Sequence, residues 1–269
     1  MATIVIYHAS CTDGFTAAWC TWLKFRDSAE YLPAHYGDEP PDVTGKDVLI
    51  LDFSYPRATL LDMELQRPKS LLILDHHKTA EAELRGLNFA KFDMARSGAA
   101  MAWDELHGGA RPKIVDYVQD RDLWHWSLPK SREISAYIAS FGFHFDLWDH
   151  MRVCIEQDVQ RCAREGEAIL RAQDKHVGFM AQNAGKALIG GHVVPFINTT
   201  TLQSEIVGAL AETATFACGW FQRADGKFVY SLRSRGDFDV SAVAKSRGGG
   251  GHKNAAGFTL DYLIPMESN

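Results

Sequence analysis

A chain of 269 residues, at roughly 150 residues per domain, is long enough for two domains and folds without a disulfide or metal staple. Hydrophobic residues at 46% and charged residues at 23% exclude disorder and fibrous structure. The net charge of −6 argues against sequence-blind binding to long DNA or to anionic membrane, which needs a basic surface.

Short apolar runs open the chain and each ends in polar residues: residues 3–7 before His8, 48–51 before Asp52, and 71–74 before Asp75, His76 and His77. Helix-like stretches at 15–25 and 55–66 lie between them. This alternation predicts buried strands of a parallel sheet, whose ligands bind outside the carboxyl ends of the strands. His8, Asp52 and the Asp75-His76-His77 triplet are therefore expected at one sheet edge. Residues 37–41 form a local turn.

Helical character follows at 98–106, 114–120 and 133–140, and a long charged stretch over 148–183 is expected to serve as a helical connector. Short strands return at 187–189, 193–198, 217–222 and 227–233, interleaved with helical pieces at 204–213 and 240–246. The fold class expected is α/β: a parallel-sheet domain over 1–185, including the connector at about 148–185, then a smaller α+β domain over 186–269.

Five cysteines (Cys11, Cys20, Cys154, Cys162, Cys218) without a Cys-x-x-Cys pair exclude a complete disulfide framework and argue against a zinc ribbon. The start of the chain lacks a basic leader before a long apolar run, and no segment reaches 18 apolar residues, so a cytoplasmic location is expected.

Asp75, His76 and His77 offer a carboxylate and two imidazoles at a strand terminus. Adjacent strand residues point to opposite faces, so one histidine is expected to coordinate while its neighbour meets the substrate. Asp52, Asp13 and His8 add further donors. A mixed carboxylate and imidazole set suits manganese better than structural zinc, and can hold two ions about 3.5–4 Å apart. Late in the chain, residues 248–257 read Gly-Gly-Gly-Gly-His-Lys-Asn-Ala-Ala-Gly. Glycines there let backbone amides approach an anion, and His252 and Lys253 add charged donors. The surrounding stretch holds Lys227, Arg233, Arg235, Lys245, Arg247 and Lys253 against Asp237 and Asp239, so the basic charge of an acidic chain gathers beside its glycine run. Ser97 reads as a helix cap rather than a nucleophile, because no Gly-x-Ser-x-Gly elbow is present. Trp19, Trp22 and Trp103 read as core; Trp124 and Trp126 could stack a base, though packing is the preferred reading.

The Asp75-His76-His77 triplet, Asp52 on the preceding strand, His8 with Asp13-Gly14, and the late Gly-Gly-Gly-Gly-His-Lys-Asn-Ala-Ala-Gly-Phe together resemble the DHH phosphoesterase superfamily, in its branch with a DHH-associated C-terminal domain. The resemblance covers nearly the whole chain. It implies manganese-dependent phosphoester hydrolysis in a cleft between two domains, with two Mn2+ ions, or Mg2+ or Co2+ in their place. By resemblance, Asp52 is the carboxylate that bridges two metals, and His8, Asp13, His76 and Asp122 are further metal ligands, with Asp120 competing for the place of Asp122. His77 and Asp75 take catalytic roles. Arg233, Ser234, Gly249, Gly250, Gly251, His252 and Lys253 take substrate-phosphate contacts. The first motif departs from the pattern: relatives carry a His and two aspartates separated by one residue, whereas here Asp13 is the only aspartate and Cys11 stands two positions before it. This puts the two-metal count in question.

The activity expected is hydrolysis of very short oligoribonucleotides (nanoRNA) or of a linear dinucleotide such as pGpG to mononucleotides. The alternatives are a cyclic dinucleotide, a nucleoside 3′,5′-bisphosphate or pyrophosphate in the same site, or a non-catalytic nucleotide-binding module. The expected partner is a short RNA or dinucleotide, not long DNA and not membrane; the sequence leaves room for a homodimer.

Overall fold

The computed structural model describes residues 3–267. By contacts the chain divides into two units, one ending at Leu170 and one beginning at Arg171.

The first unit is built on a five-stranded, fully parallel sheet: β1 (Thr3–His8), β2 (Ala29–Ala34), β3 (Asp47–Leu51), β4 (Ser70–Asp75) and β5 (Ala90–Phe92), in the order β2-β1-β3-β4-β5. Its helices are α1 (Thr12–Phe25), α2 (Arg57–Leu65), α3 (Lys78–Leu84), α4 (Gly98–Leu106), α5 (Lys113–Asp122), α6 (Ser131–Ala139) and α7 (Phe145–Gln157). Alternation along the buried strands supplies two cores. Val5, Leu51 and Leu74 join Phe15, Trp19, Ala99, Val115 and Trp148 in one core. Ile4, Ile6, Val48, Ile50 and Ile73 join Leu60, Met63 and Leu84 in the other. With both faces covered, the strands read as continuous apolar runs. The direction of strand succession reverses between β1 and β3, and such a switch point is where open parallel sheets leave a crevice for ligands.

Two strands of the first unit are additional to those read from the sequence. β2 contains Pro33, which lacks an amide donor and is tolerated because β2 lies at the sheet edge; β5 has only three residues. The stretch read as one helix over 148–183 is two, because the helical path breaks at Asp158 (φ −150°, ψ 80°) between α7 and α8 (Val159–Gln182). The Asp158 carboxylate accepts from the Arg161 amide at 3.0 Å, so it caps the new helix. The division between the two units falls inside α8.

The second unit carries a six-stranded mixed sheet in the order β10-β11-β9-β8-β7-β6. Its elements after α8 are β6 (Gly185–Ile189), β7 (His192–Asn198), α9 (Gln203–Leu210), β8 (Phe216–Gln222), β9 (Phe228–Ser234), α10 (Val240–Lys245), β10 (Gly250–His252) and β11 (Ala255–Leu260). Phe196, Phe216, Tyr230, Leu232 and Phe258 form its core. Most of residues 248–257 are strand: β10 and β11 form an antiparallel hairpin that continues the sheet beside β9. No helix among the described residues is long and apolar enough to cross a membrane.

Candidate active site

The carboxyl ends of β1, β3 and β4 bring His8, Asp52 and Asp75-His76-His77 to one edge of the first unit, as the sequence pattern predicts. Asp52 follows β3 directly; its amide donates to the Leu74 carbonyl at 2.9 Å, and it adopts φ 53°, a left-handed conformation uncommon for a non-glycine residue. Such conformations persist where the surroundings over-determine them, and they cluster at functional sites.

His76 lies at the centre. Its Nε2 is 3.0 Å from Asp52 Oδ1, 3.4 Å from Asp122 Oδ2 and 3.8 Å from Asp13 Oδ2. His76, Asp13 and Asp52 are almost wholly inaccessible to solvent. The other oxygen of Asp52 faces a different pair: Cys11 Sγ donates to Oδ2 at 3.5 Å, and His8 Nδ1 stands 3.4 Å from it. The two oxygens of one carboxylate thus separate two donor sets, Asp13-His76-Asp122 and His8-Cys11, and each set can bring its ligand atoms within 4.8 Å of one another. Asp52, Asp75 and His77 form a third such group.

Burial, with the neighbouring Asp52 and Asp122 charges, pushes the Asp13 carboxyl well above the usual carboxylate range. Burial and Asp52 likewise raise Asp122 against the opposing pull of His76. Burial opposes charge on Asp52 too, but His76 and His8 hold its carboxyl well below the usual range. His76 is raised to about 10 by Asp52, Asp122 and Asp13, against its own burial. Three carboxyl groups therefore crowd about one imidazole in a dry site, where burial and mutual repulsion disfavour charge on Asp13 and Asp122. A divalent cation completes such a set. Donor atoms bound at about 2.1 Å and at right angles lie about 3 Å apart, close to the His76–Asp52 separation. Asp75 Oδ2 and His8 Nδ1 are also buried polar atoms without a hydrogen-bond partner among the described residues. The residues present fit a divalent cation.

Asp75 orients its neighbours. Its Oδ1 accepts from the His76 amide at 2.7 Å, from the His77 amide at 3.2 Å, and pairs with His77 Nδ1 at 2.6 Å. A carboxylate on one ring nitrogen fixes the tautomer and aims the other, and Asp75 raises His77 against the effect of its burial.

Asp13 is held by the start of α4. The Gly98 amide donates to Asp13 Oδ2 at 2.6 Å and the Ala99 amide to Oδ1 at 3.1 Å, while Ser97 caps the helix by accepting from Ala100. A helix N-terminus offers free amides and a favourable dipole to a carboxylate. Gly98 is required by close approach: a Cβ there would lie 2.5 Å from the Asp52 Cβ and 3.0 Å from Asp13 Oδ2. The cap was legible in Ser97; the use of the Gly98 and Ala99 amides to hold Asp13 was not.

Asp120 and Asp122, alternatives from sequence, occupy different places. Asp122 comes to His76. Asp120 accepts from the Ser127 amide (3.0 Å) and hydroxyl (2.6 Å), the Leu128 amide (3.3 Å) and the Ser131 hydroxyl. It thereby pins the loop that holds Trp124 (φ 59°) and Trp126 (φ 53°), whose rings meet edge to face at 5.0 Å. Both tryptophans are half-buried and belong to none of the apolar cores, whereas Trp19, Trp22 and Trp103 join one. Tyr36, which no sequence pattern singled out, is more than half exposed, with its ring 5.5 Å from that of His8 and 6.2 Å from that of His77.

In the second unit, register aligns His252 with Ala255 and Ala255 with Arg233. Residues opposite one another share a sheet face, so His252 and Arg233 flank one small alanine. Arg233 donates to the Ser204 hydroxyl at 2.8 Å. Ser234 is buried; its hydroxyl donates to the Phe238 carbonyl and accepts from Asn254. Lys253 pairs with Asp237 at 3.0 Å. Gly249, Gly250 and Gly251 lie at or in β10, and Gly251 adopts φ 135° where a Cβ would meet the Ala255 carbonyl oxygen at 2.6 Å.

Residues 195–267 match the DHHA1 domain. Over 98% of its length the chain is 29% identical to an uncharacterised protein of Acanthamoeba polyphaga mimivirus, aligned over 69% of that protein. Among solved structures it is similar to a pGpG-specific phosphodiesterase of Vibrio cholerae (15% identity, TM-score 0.50, covering 96% of this chain and 93% of that one). It is also similar to an exopolyphosphatase-related protein of Bacteroides fragilis (13%, 0.50, 98% and 88%). The Mn2+ complex of RecJ from Thermus thermophilus is similar at 15% identity and TM-score 0.50, over 96% of this chain and 49% of RecJ. At these identities the solved structures establish likeness of fold.

Proposed function

We propose that the protein, whose residues 195–267 match the DHHA1 domain and whose motifs resemble the DHH phosphoesterase superfamily, is a divalent-metal-dependent phosphodiesterase that hydrolyses very short oligoribonucleotides or a linear dinucleotide such as pGpG to mononucleotides. The observation that carries this reading is Asp52, whose two oxygens separate two sets of metal-ligating side chains. Asp13, Asp52, His76 and Asp122 would hold one cation, for which Mn2+ is the ion proposed, and His8 with Asp52 would hold a second. Bound there, the cations supply activation of water and neutralisation of charge on the phosphoryl group.

The protein's own groups do the rest. The Gly98 and Ala99 amides fix Asp13, and Asp75 fixes His77, so the donors are set before substrate arrives. His77 is the proposed donor to a non-bridging phosphate oxygen, its proton supported by Asp75. Arg233, Ser234, Gly249, Gly250, Gly251, His252 and Lys253 of the second unit are proposed to hold a terminal phosphate. Arg233 and His252 share a sheet face, and phosphate is well matched by such charged donors. The chain's net negative charge fits a short substrate better than a long polyanion. Cytoplasmic action on free short RNA belongs to the same proposal.

The test is a substrate panel with Mn2+: pGpG, RNA of two to five nucleotides, a cyclic dinucleotide, a nucleoside 3′,5′-bisphosphate and pyrophosphate. Mononucleotide release from the first two, well above the others, is expected. Turnover confined to pyrophosphate or to the bisphosphate would overturn the substrate class.

A further inference from the structure

Cys11 stands at the N-cap of α1, a position that favours Ser, Thr, Asp or Asn, yet its side chain makes no capping hydrogen bond. The thiol instead lies 3.5 Å from Asp52 Oδ2, the same oxygen that His8 Nδ1 approaches to 3.4 Å. His8 Nδ1 is buried and makes no hydrogen bond among the described residues. One sulfur, one imidazole nitrogen and one carboxylate oxygen can therefore come within 4.8 Å of one another.

We propose that His8, Cys11 and Asp52 form a metal position with a thiolate ligand, selective for a thiophilic divalent cation of the zinc and cobalt kind, beside a harder position formed by Asp13, His76 and Asp122. Sulfur and imidazole donors favour Zn2+ and Co2+, whereas carboxylates suit Mn2+ and Mg2+. The two sides of Asp52 carry these two kinds of donor set, so the site holds two unlike cations. On binding, the S–H bond breaks, the sulfur electron pair forms the bond to the cation, and the proton passes to solvent. The assignment rests on the metal-dependent reading above.

The test is titration of the metal-stripped full-length protein with Co2+, following the near-ultraviolet thiolate-to-cobalt charge-transfer band while equilibrium dialysis counts bound metal. The band is expected to saturate at one equivalent in the wild type and in Cys154→Ser, a control for the other partly exposed thiol, which lies 3.4 Å from His150. It is expected to be absent in Cys11→Ser and Cys11→Asp, which still bind cobalt at the harder position and so report an intact fold. In Cys11→Asp the preference for Zn2+ over Mn2+ should fall by roughly tenfold or more. Cobalt bound to the wild type without the band, or a band that survives in Cys11→Ser, overturns the thiolate position alone. A wild type that binds no cobalt overturns it together with the metal-dependent reading.

Discussion

His76 Nε2 lies 3.0 Å from Asp52 Oδ1, and the opposite oxygen of the same carboxylate faces Cys11 and His8. Asp52 is the hinge of the site: it belongs to both donor sets, it follows the strand at the sheet's switch point, and its left-handed backbone is fixed by the Leu74 carbonyl. Predictions about the site are therefore predictions about what holds Asp52 and its neighbours in place.

Gly98→Ala tests the close approach of α4. The added methyl meets the Asp52 Cβ at 2.5 Å and must displace either the helix or the carboxylates. Overpacking of this kind costs about 1–3 kcal/mol of stability, and a shift near 1 Å at reacting groups costs roughly 100-fold in rate. Thermal unfolding together with kcat checks both; a variant with unchanged kcat would remove Asp13 and Asp52 from the chemistry.

Asp75→Asn tests the support of His77. The amide keeps the shape but loses the charge that sustains the His77 proton and fixes its ring. Losing a carboxylate that orients a site histidine lowers metal affinity or activity by about 10- to 100-fold. A fall confined to unfolding temperature, with kcat preserved, would reduce Asp75 to a structural role.

Asp104→Asn tests the anchor behind α4. Arg111 donates to Asp104 at 2.8 and 2.6 Å and Arg96, just before the Ser97 cap, donates at 2.8 Å. Hydrogen bonds from Arg111 and then Arg96 hold the Asp104 carboxyl below the usual range. A depressed folded-state pKa contributes stability that is present above the unfolded value of about 3.9 and is lost as pH falls through the folded value. Since these groups are partly exposed, the variant should lose only about 1 kcal/mol at pH 7. The gap from wild type should close below about pH 4, as denaturant melts across pH would reveal.

Trp124→Ala and Trp126→Ala test the aromatic pair two and four residues beyond Asp122. Stacking of a base on an aromatic ring contributes about 1–3 kcal/mol, or roughly a 5- to 150-fold change in binding. With pGpG as substrate, KM should rise within that range for at least one variant while kcat stays near wild type. Unaltered KM in both would assign the pair to loop packing.

The sheet edge was legible because buried parallel strands are short apolar runs and their last polar residues necessarily fall together: His8, Asp52 and Asp75-His76-His77 follow from pattern alone. β2 was hidden by Pro33, a residue that argues against a strand unless the strand lies at an edge. The break at Asp158 was hidden because α7 and α8 share one helical periodicity, and a capping aspartate inside a charged stretch resembles any surface carboxylate. The choice between Asp120 and Asp122 needed three dimensions. Both lie in α5, but only the fold shows Asp120 bound to Ser127, Leu128 and Ser131 while Asp122 reaches His76. Tyr36 carried no signal at all, since its approach to His8 and His77 depends on where the chain runs after β2.

The most direct test of a metal-dependent phosphodiesterase centred on Asp52 is the rate of pGpG hydrolysis with Mn2+ for the wild type, the wild type in chelator, and Asp52→Ala. Removing even an outer-shell partner of a metal site costs 10- to 100-fold, so loss of the shared carboxylate should lower turnover by more than about 100-fold, to near the chelated wild-type rate. Equal turnover by wild type and Asp52→Ala, or turnover indifferent to chelator, would contradict it.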